Sequence, residues 1–347
     1  MTSVELPRAA LDALVHDATG EAIVDVRAMP GGASTRRYAR VTTATRSLVA
    51  MFAPDGAKPE EVTAGAIATR WPFLEVRDLL ASRGVRVPSL VGERCEVGLL
   101  LLEDLGDVTV AEALRRDPTR RTALYRRAVT DLAAMHRALS TLPEGSVVAT
   151  RAFDQTLLRW EFAHFVEYGL DARGIERPAA SRRALDEAFD VIAEELAARP
   201  RGFVHRDYQS RNLMIDPRDD DALVVIDFQD ALLGPRSYDL VALMRDSYQD
   251  FDEPFVDTML AVYADAFGLD HAARLDFRAE FDRLTVQRKL KDAGRFVFID
   301  KKKGDPSFLP YVQPSLLRVR RALERLDGEP VFARVRTLLS EALADFR

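Results

Sequence analysis

Apolar positions recur along this chain in two rhythms. The first hundred residues carry short alternating runs rich in β-branched side chains, which predict strands over 22–26, 38–41 and 47–51 joined by short turns, an antiparallel meander. A helix over 7–16 precedes them with Leu11, Leu14 and Val15 on one face, closed by 17–20. A second helix, 71–83, ends at Gly84; 85–88 then leads into a strand and 96–102 forms the next. Further on the period becomes helical. Segments 109–115, 120–139, 156–168 and 181–198 read as helices, the second with a buried stripe of Leu124, Ala128, Leu132, Met135 and Leu139. Pro200 ends the last of these, short strands follow at 203–204 and 223–226, and helices over 240–247, 254–267 and 272–295, with two more after Pro314, complete the chain. The pattern predicts an α+β protein in two parts: residues 1–104 around a small antiparallel sheet, and 105–347, larger and mostly helical. Repeats, low-complexity tracts and flexible linkers are not evident.

Composition narrows this picture. The 347 residues are 47% hydrophobic, ample for a core, and 30% charged, with a formal net charge of -6. That balance gives no general attraction to nucleic acid or an anionic membrane. A single cysteine, Cys95, excludes an intrachain disulfide and has no evident base partner. No apolar run is long enough to span a membrane, and the first twenty residues lack the basic start and apolar core of a signal peptide, so a cytoplasmic enzyme with access to ATP is expected.

The chemistry concentrates at 203–240. Phe203-Val204 runs into His205-Arg206-Asp207, Asn212 follows Asp207 by five positions, and the strand 223–226 runs into Asp227-Phe228-Gln229-Asp230. An H-R-D with an Asn five residues on, then an Asp-Phe after the next strand, is the order used in kinase-type phosphoryl transfer. That reaction needs metal ions on the phosphate oxygens and a carboxylate to orient the attacking hydroxyl. Asp207 suits the catalytic role. Asn212 and Asp227 supply hard oxygen ligands for Mg²⁺. His205 and Arg206 are expected to hold the loop. The glycine usual after Asp-Phe is replaced by Gln229. His136, on a buried stripe, reads as structural, and the acidic run 219–221 as a solvated hairpin tip.

These motifs resemble the aminoglycoside phosphotransferase superfamily, which includes choline and homoserine kinases. The narrower likeness is to bacterial cell-wall sugar kinases that phosphorylate the anomeric hydroxyl of N-acetylmuramate and N-acetylglucosamine. It rests on HRDYQSRN at 205–212, DFQDA at 227–231, GGASTRRY at 31–38 and LLLEDLG at 100–106. The resemblance implies a two-lobed protein-kinase-like fold with a nucleotide-binding N-lobe and a catalytic C-lobe, using ATP and Mg²⁺ on a small sugar acceptor. It places Ala33, Ser34, Thr35 and Arg36 over the phosphates, the backbone of Glu103, Asp104 and Leu105 against adenine, and Asp239 as a buttress of the catalytic loop. One feature departs from the pattern: the third strand has Met51 where kinase-like folds carry a phosphate-holding lysine, which also leaves Glu75 without its usual partner. Lys58 or Arg36 are the substitutes at hand. Candidate acceptor contacts are Glu161, Asp230, Arg245 and Lys291. The basic segment Arg288, Lys289, Lys291, Arg295 and Lys301, Lys302, Lys303 is either a face for an anionic acceptor or a solvated surface. An aminoglycoside or amino-alcohol kinase, with Asp246, Asp250, Asp252 and Glu253 as acidic lining, and an inactive nucleotide-binding member remain as alternatives.

Overall fold

The computed structural model describes residues 6–29, 36–53 and 71–346. In chain order, α1 (Arg8–Thr19) leads into β1 (Asp25–Ala28), β2 (Arg37–Thr42) and β3 (Ser47–Phe52), then α2 (Pro72–Ser82), β4 (Leu90–Arg94) and β5 (Leu99–Glu103). Helices α3 (Val110–Arg116), α4 (Arg121–Ala138), α5 (Gln155–His164) and α6 (Ala179–Ala197) follow. Strands β6 (Arg201–Val204), β7 (Leu213–Asp216), β8 (Asp219–Val225) and β9 (Leu232–Pro235) come next. The chain ends with α7 (Ser237–Met244), α8 (Glu253–Phe267), α9 (His271–Phe298), α10 (Val312–Arg325) and α11 (Pro330–Ala342). Contacts group it into two units: Met1–Ala113 with Asn212–Asp230, and Leu114–Arg211 with Ala231–Arg347. The β7–β8 hairpin thus groups with the N-terminal strands.

In the first unit, β1–β5 form an antiparallel sheet in the order β1-β2-β3-β5-β4. Its two faces follow the period of two. Leu48, Ala50 and Phe52 of β3 join Val41, Leu99 and Leu101 in a core sealed by Leu11, Leu14 and Val15 of α1. That helix ends at Gly20, whose φ of 74° suits the left-handed cap. The opposite face carries the cross-strand row Tyr38, Met51 and Leu100. The hairpin β7–β8 adds to this unit through a bridge from Thr109 to Met214 and a bond from the Ile215 N–H to the Val108 carbonyl. Leu105, Met214 and Val224 close a small core beneath it. The Asp run at 219–221 lies in β8 itself rather than at the hairpin tip, which falls at Pro217-Arg218. The tip is tied to the strand end by Arg218, which donates to Asp216.

The second unit is helical around the two-stranded ladder β6–β9. Helix α4 buries Leu124, Ala128, Leu132 and Met135 along one stripe. The helix expected over 156–168 stops at His164 and continues as a wider turn over Phe165–Leu170. Gly294 of α9 meets that turn backbone to backbone: a Cβ there would lie 2.8 Å from the Phe165 Cα.

Candidate functional site

In the first unit, the candidate metal ligands come from the two ends of one hairpin. Leu213 pairs with Val225 at the mouth of β7–β8, and the Ile226 N–H donates to the Asn212 carbonyl at 3.1 Å. Asn212 and Asp227 thus bracket the same end of the ladder. Asp227 adopts φ 62°, the left-handed region, and turns the chain sharply there. Phe228 is fully buried, its ring 5.0 Å from that of Phe73 on α2. This packing fixes the turn, so Asp227 stays 42% accessible while its neighbour is core. Gln229, in the usual glycine position, donates its side-chain amide to Asp227 at 3.0 Å and to Asp230 at 2.9 Å.

Arg36 reaches the same carboxylate. Its Nη2 lies 3.4 Å from Asp227 Oδ1, and the side chain is only 11% accessible. Burial works against its charge, but Tyr38, Asp227 and Asp230 outweigh it and raise the guanidinium above its ordinary value. Burial likewise pushes the Tyr38 phenol up. Met51 is fully buried opposite Tyr38, so β3 offers no cation here. Arg37, the next residue, is exposed.

The segment expected to meet adenine is firmly braced. Arg40 donates to Asp104 at 2.7 Å and to Asp107 at 2.9 Å, and Asp104 also accepts from the Ser47 hydroxyl and the Gly106 N–H. Glu103 accepts from Arg86 at 2.7 Å. Both carboxyls fall below their ordinary values: burial opposes, and these hydrogen bonds prevail.

In the second unit the loop after β6 carries Asp207. Arg206 holds φ 81°, and with Asp227 it makes the pair of non-glycine residues at positive φ among the described residues. Strained backbone persists where surroundings over-determine it, often at functional sites. Here the surroundings are explicit. The buried Asp239 of α7 accepts from the His205 N–H at 2.7 Å and the Arg206 N–H at 2.9 Å. His136 lies 3.2 Å from the same carboxylate and 2.7 Å from the Tyr263 hydroxyl. Arg288 of α9, 1% exposed, donates to the Arg206 carbonyl at 2.7 Å and to Asp207 Oδ1 at 3.1 Å. Asp207 itself remains 36% accessible. Burial raises its carboxyl, but Arg288, Lys291 and Arg206 prevail and hold it at about 2.

The acceptor candidates separate on inspection. Lys291 belongs to the charge cluster at Asp207; burial opposes its charge, while Tyr238 and Asp292 keep its ammonium value raised. Glu161 is fully buried, accepts from Gln287 and pairs with Arg206 at 3.5 Å, so it braces the loop from behind. Arg245 is clamped by Glu253 through two bonds of 2.8 Å. Asp230 sits with Asp227 in the first unit. Ala33, Ser34, Thr35 and Lys58 lie outside the described residues. The basic segment is not a solvated face at its start: Arg288 and Lys289 are buried, and Lys289 bonds Ser247 and Asp292. Arg288, expected only as part of a basic segment facing an acceptor or solvent, instead braces the loop that carries Asp207. It lies one helical turn before Lys291 and Asp292, a spacing that puts the three on one side of α9.

A family model described as the phosphotransferase enzyme family matches residues 25–278. The chain belongs to this phosphotransferase family. Among curated relatives, this phosphotransferase is 34% identical over 284 residues to the N-acetylmuramate/N-acetylglucosamine kinase of Pseudomonas aeruginosa, covering 80% of this chain and 77% of that one. It is 32% identical over 325 residues to the enzyme of the same name from Neisseria meningitidis, covering 90% and 89%. A crystal structure of a choline kinase from Streptococcus pneumoniae matches with a TM-score of 0.60 at 17% identity, over 92% of this chain and 99% of that one. Likeness at that identity bears on the fold alone, and the fold is the protein-kinase-like one, with a five-stranded antiparallel N-terminal sheet and a helical C-terminal part. Among the described residues no helix is long and apolar enough to cross a membrane.

Proposed function

We propose that this phosphotransferase moves the γ-phosphoryl group of ATP to the anomeric hydroxyl of N-acetylmuramate and N-acetylglucosamine, as in cell-wall sugar recycling. The substrate class follows the two relatives above. The observation that carries the mechanism is Asp207: an accessible carboxylate on a strained loop, held at about 2 by cations packed behind it.

Asp207 accepts a hydrogen bond from the acceptor hydroxyl and aims its oxygen. A carboxylate held so low is a weak base. It therefore orients the hydroxyl first and takes the proton only as the bond to phosphorus forms, which suits a loose transition state. The side-chain oxygens of Asn212 and Asp227, at one end of a hairpin, fit Mg²⁺, which when bound would neutralise charge on the β- and γ-phosphates. Arg36 is assigned the task of the absent strand lysine. It lies on the strand side that carries Met51, and its charge is held up beside Asp227 and Asp230. The backbone of Ala33, Ser34 and Thr35 and that of Glu103, Asp104 and Leu105 are assigned to the phosphates and the adenine.

A cationic acceptor is less well served. Asp246 accepts from Ser210, Asp252 caps α8, and Glu253 holds Arg245. These three carboxylates are engaged within the fold, while Asp250 is exposed with Arg318 3.9 Å away. The test is ADP release from Mg-ATP with N-acetylmuramate, N-acetylglucosamine, kanamycin and choline. Turnover confined to the two amino sugars is expected; rapid turnover of kanamycin or choline without them would overturn the reading.

A further inference from the structure

We infer that Arg211, stacked on Tyr248, recognises a carboxylate on the acceptor and so separates acidic from neutral amino sugars. The inference rests on the function proposed above. Arg211 follows Asp207 by four residues and is exposed. Its guanidinium carbon lies 3.4 Å from the centroid of the Tyr248 ring, a face-on stack. Among the described residues it makes no hydrogen bond or ion pair with a carboxylate, in a chain where most arginines do. Its donors remain available to a ligand.

The platform beneath it is stiff. Asp246 accepts from the Ser210 N–H at 3.1 Å and the Ser210 hydroxyl, and its other oxygen accepts from the Tyr248 N–H at 3.0 Å. One buried carboxylate thus fixes both the residue before Arg211 and the ring under it. Lys289 bonds the Ser247 hydroxyl at 2.6 Å, and Arg318 donates to the Gln249 carbonyl at 2.6 Å. Tyr311 meets the edge of the Tyr248 ring at 4.9 Å. Every residue from Asp246 to Gln249 is therefore tied down.

An exposed ion pair usually contributes little, because two long side chains must be immobilised. An arginine already held flat on a ring loses less freedom on binding, and its planar fork matches a carboxylate through two parallel bonds. N-acetylmuramate carries a lactyl carboxylate; N-acetylglucosamine is the same sugar without it. Arg211 is thus a specificity-determining residue, not a catalytic one.

The test compares steady-state kinetics of Arg211→Met with wild type for both sugars and for ATP. The expected result is a KM for N-acetylmuramate raised roughly 10- to 50-fold, with KM for N-acetylglucosamine and for ATP within about 3-fold. Arg211→Lys, which keeps charge but not the fork, should recover part of the loss. Tyr248→Leu, which removes the ring under the guanidinium, should shift the N-acetylmuramate KM in the same direction as Arg211→Met. An unchanged N-acetylmuramate KM in Arg211→Met would overturn the inference alone. An equal loss for both sugars, or a raised KM for ATP, would also overturn it, the latter by assigning Arg211 to phosphate. Absence of turnover of both sugars by wild type would overturn the proposed function and this inference together.

Discussion

Asp239→Asn is the substitution that most sharply probes how the catalytic loop is held. Asp239 is fully buried and presents two oxygens to three donors or near-donors: the His205 N–H, the Arg206 N–H and the His136 ring. Asparagine presents one oxygen and an NH₂ group. At least one of the two backbone N–H groups must then face another donor. A buried, unsatisfied N–H costs about 1–3 kcal/mol, and the surviving bond loses its charge assistance, roughly another 1 kcal/mol. The loop has no slack to absorb this, because Arg206 already sits at φ 81°, where a residue with a Cβ is disfavoured by about 1–2 kcal/mol. The sum is a destabilisation of about 2–4 kcal/mol. Urea unfolding followed by far-UV circular dichroism measures it, alongside initial rates. Since Asp239 touches the loop that bears Asp207 and no substrate, kcat should fall about 10-fold or more with KM for ATP little changed. Tyr263→Phe, which removes only the outer bond to His136, should cost under about 1.5 kcal/mol. A loss below about 0.5 kcal/mol in Asp239→Asn, with kcat intact, would refute the reasoning.

Three further outcomes follow from the same geometry. Asp207→Ala should lower kcat on the order of 10²–10⁴-fold, and near-normal turnover would contradict its assigned role. Arg36→Ala should raise KM for ATP about 10-fold with partial recovery in Arg36→Lys, whereas equal losses in both variants would argue that Arg36 only supports the fold. Glu253 is held at about 2 against an ordinary 4.5: burial opposes, and Arg245 and Arg325 prevail. A depressed carboxyl stabilises the fold above its ordinary value and loses that contribution as pH falls from 4.5 towards 2. Glu253→Gln, which strands the buried Arg245, should therefore be less stable at neutral pH by about 2–4 kcal/mol and should lose less stability than wild type across that window, as followed by unfolding midpoints. Parallel pH dependences would count against the clamp.

Much of the fold could be read from periodicity because most elements bury a single face. The stripe from Leu124 to Leu139 marks α4, and the alternation in 47–51 marks β3, whose even positions meet α1. The misreadings fall where backbone geometry overrides pattern. The helix expected through Tyr168 is there, but it widens after His164 into a broader helical turn over Phe165–Leu170, where Gly294 of α9 comes close, a contact remote in sequence. The strand β4 at 90–94 has little apolar signal, and 95–97 forms a turn before β5. The membership of the β7–β8 hairpin could not be seen, since its partners at Arg86, Val108 and Thr109 lie a hundred residues earlier. In the site, motif order pointed to Asp207, Asn212 and Asp227, but Arg288 was hidden in a basic run whose burial only the packing of α9 reveals. Arg245 and Glu161, suggested by charge as acceptor contacts, are each engaged in an ion pair within the fold, with Glu253 and Arg206.

In the proposed reaction a phosphoryl group passes from ATP to the hydroxyl on C1 of an amino sugar. Phosphorus NMR of wild-type protein incubated with Mg-ATP and N-acetylmuramate tests this directly. The expected result is ADP together with a new phosphate monoester resonance coupled to the anomeric proton, absent in Asp207→Ala. A phosphate on any other hydroxyl, or ADP formed with inorganic phosphate and no sugar phosphate, would contradict it.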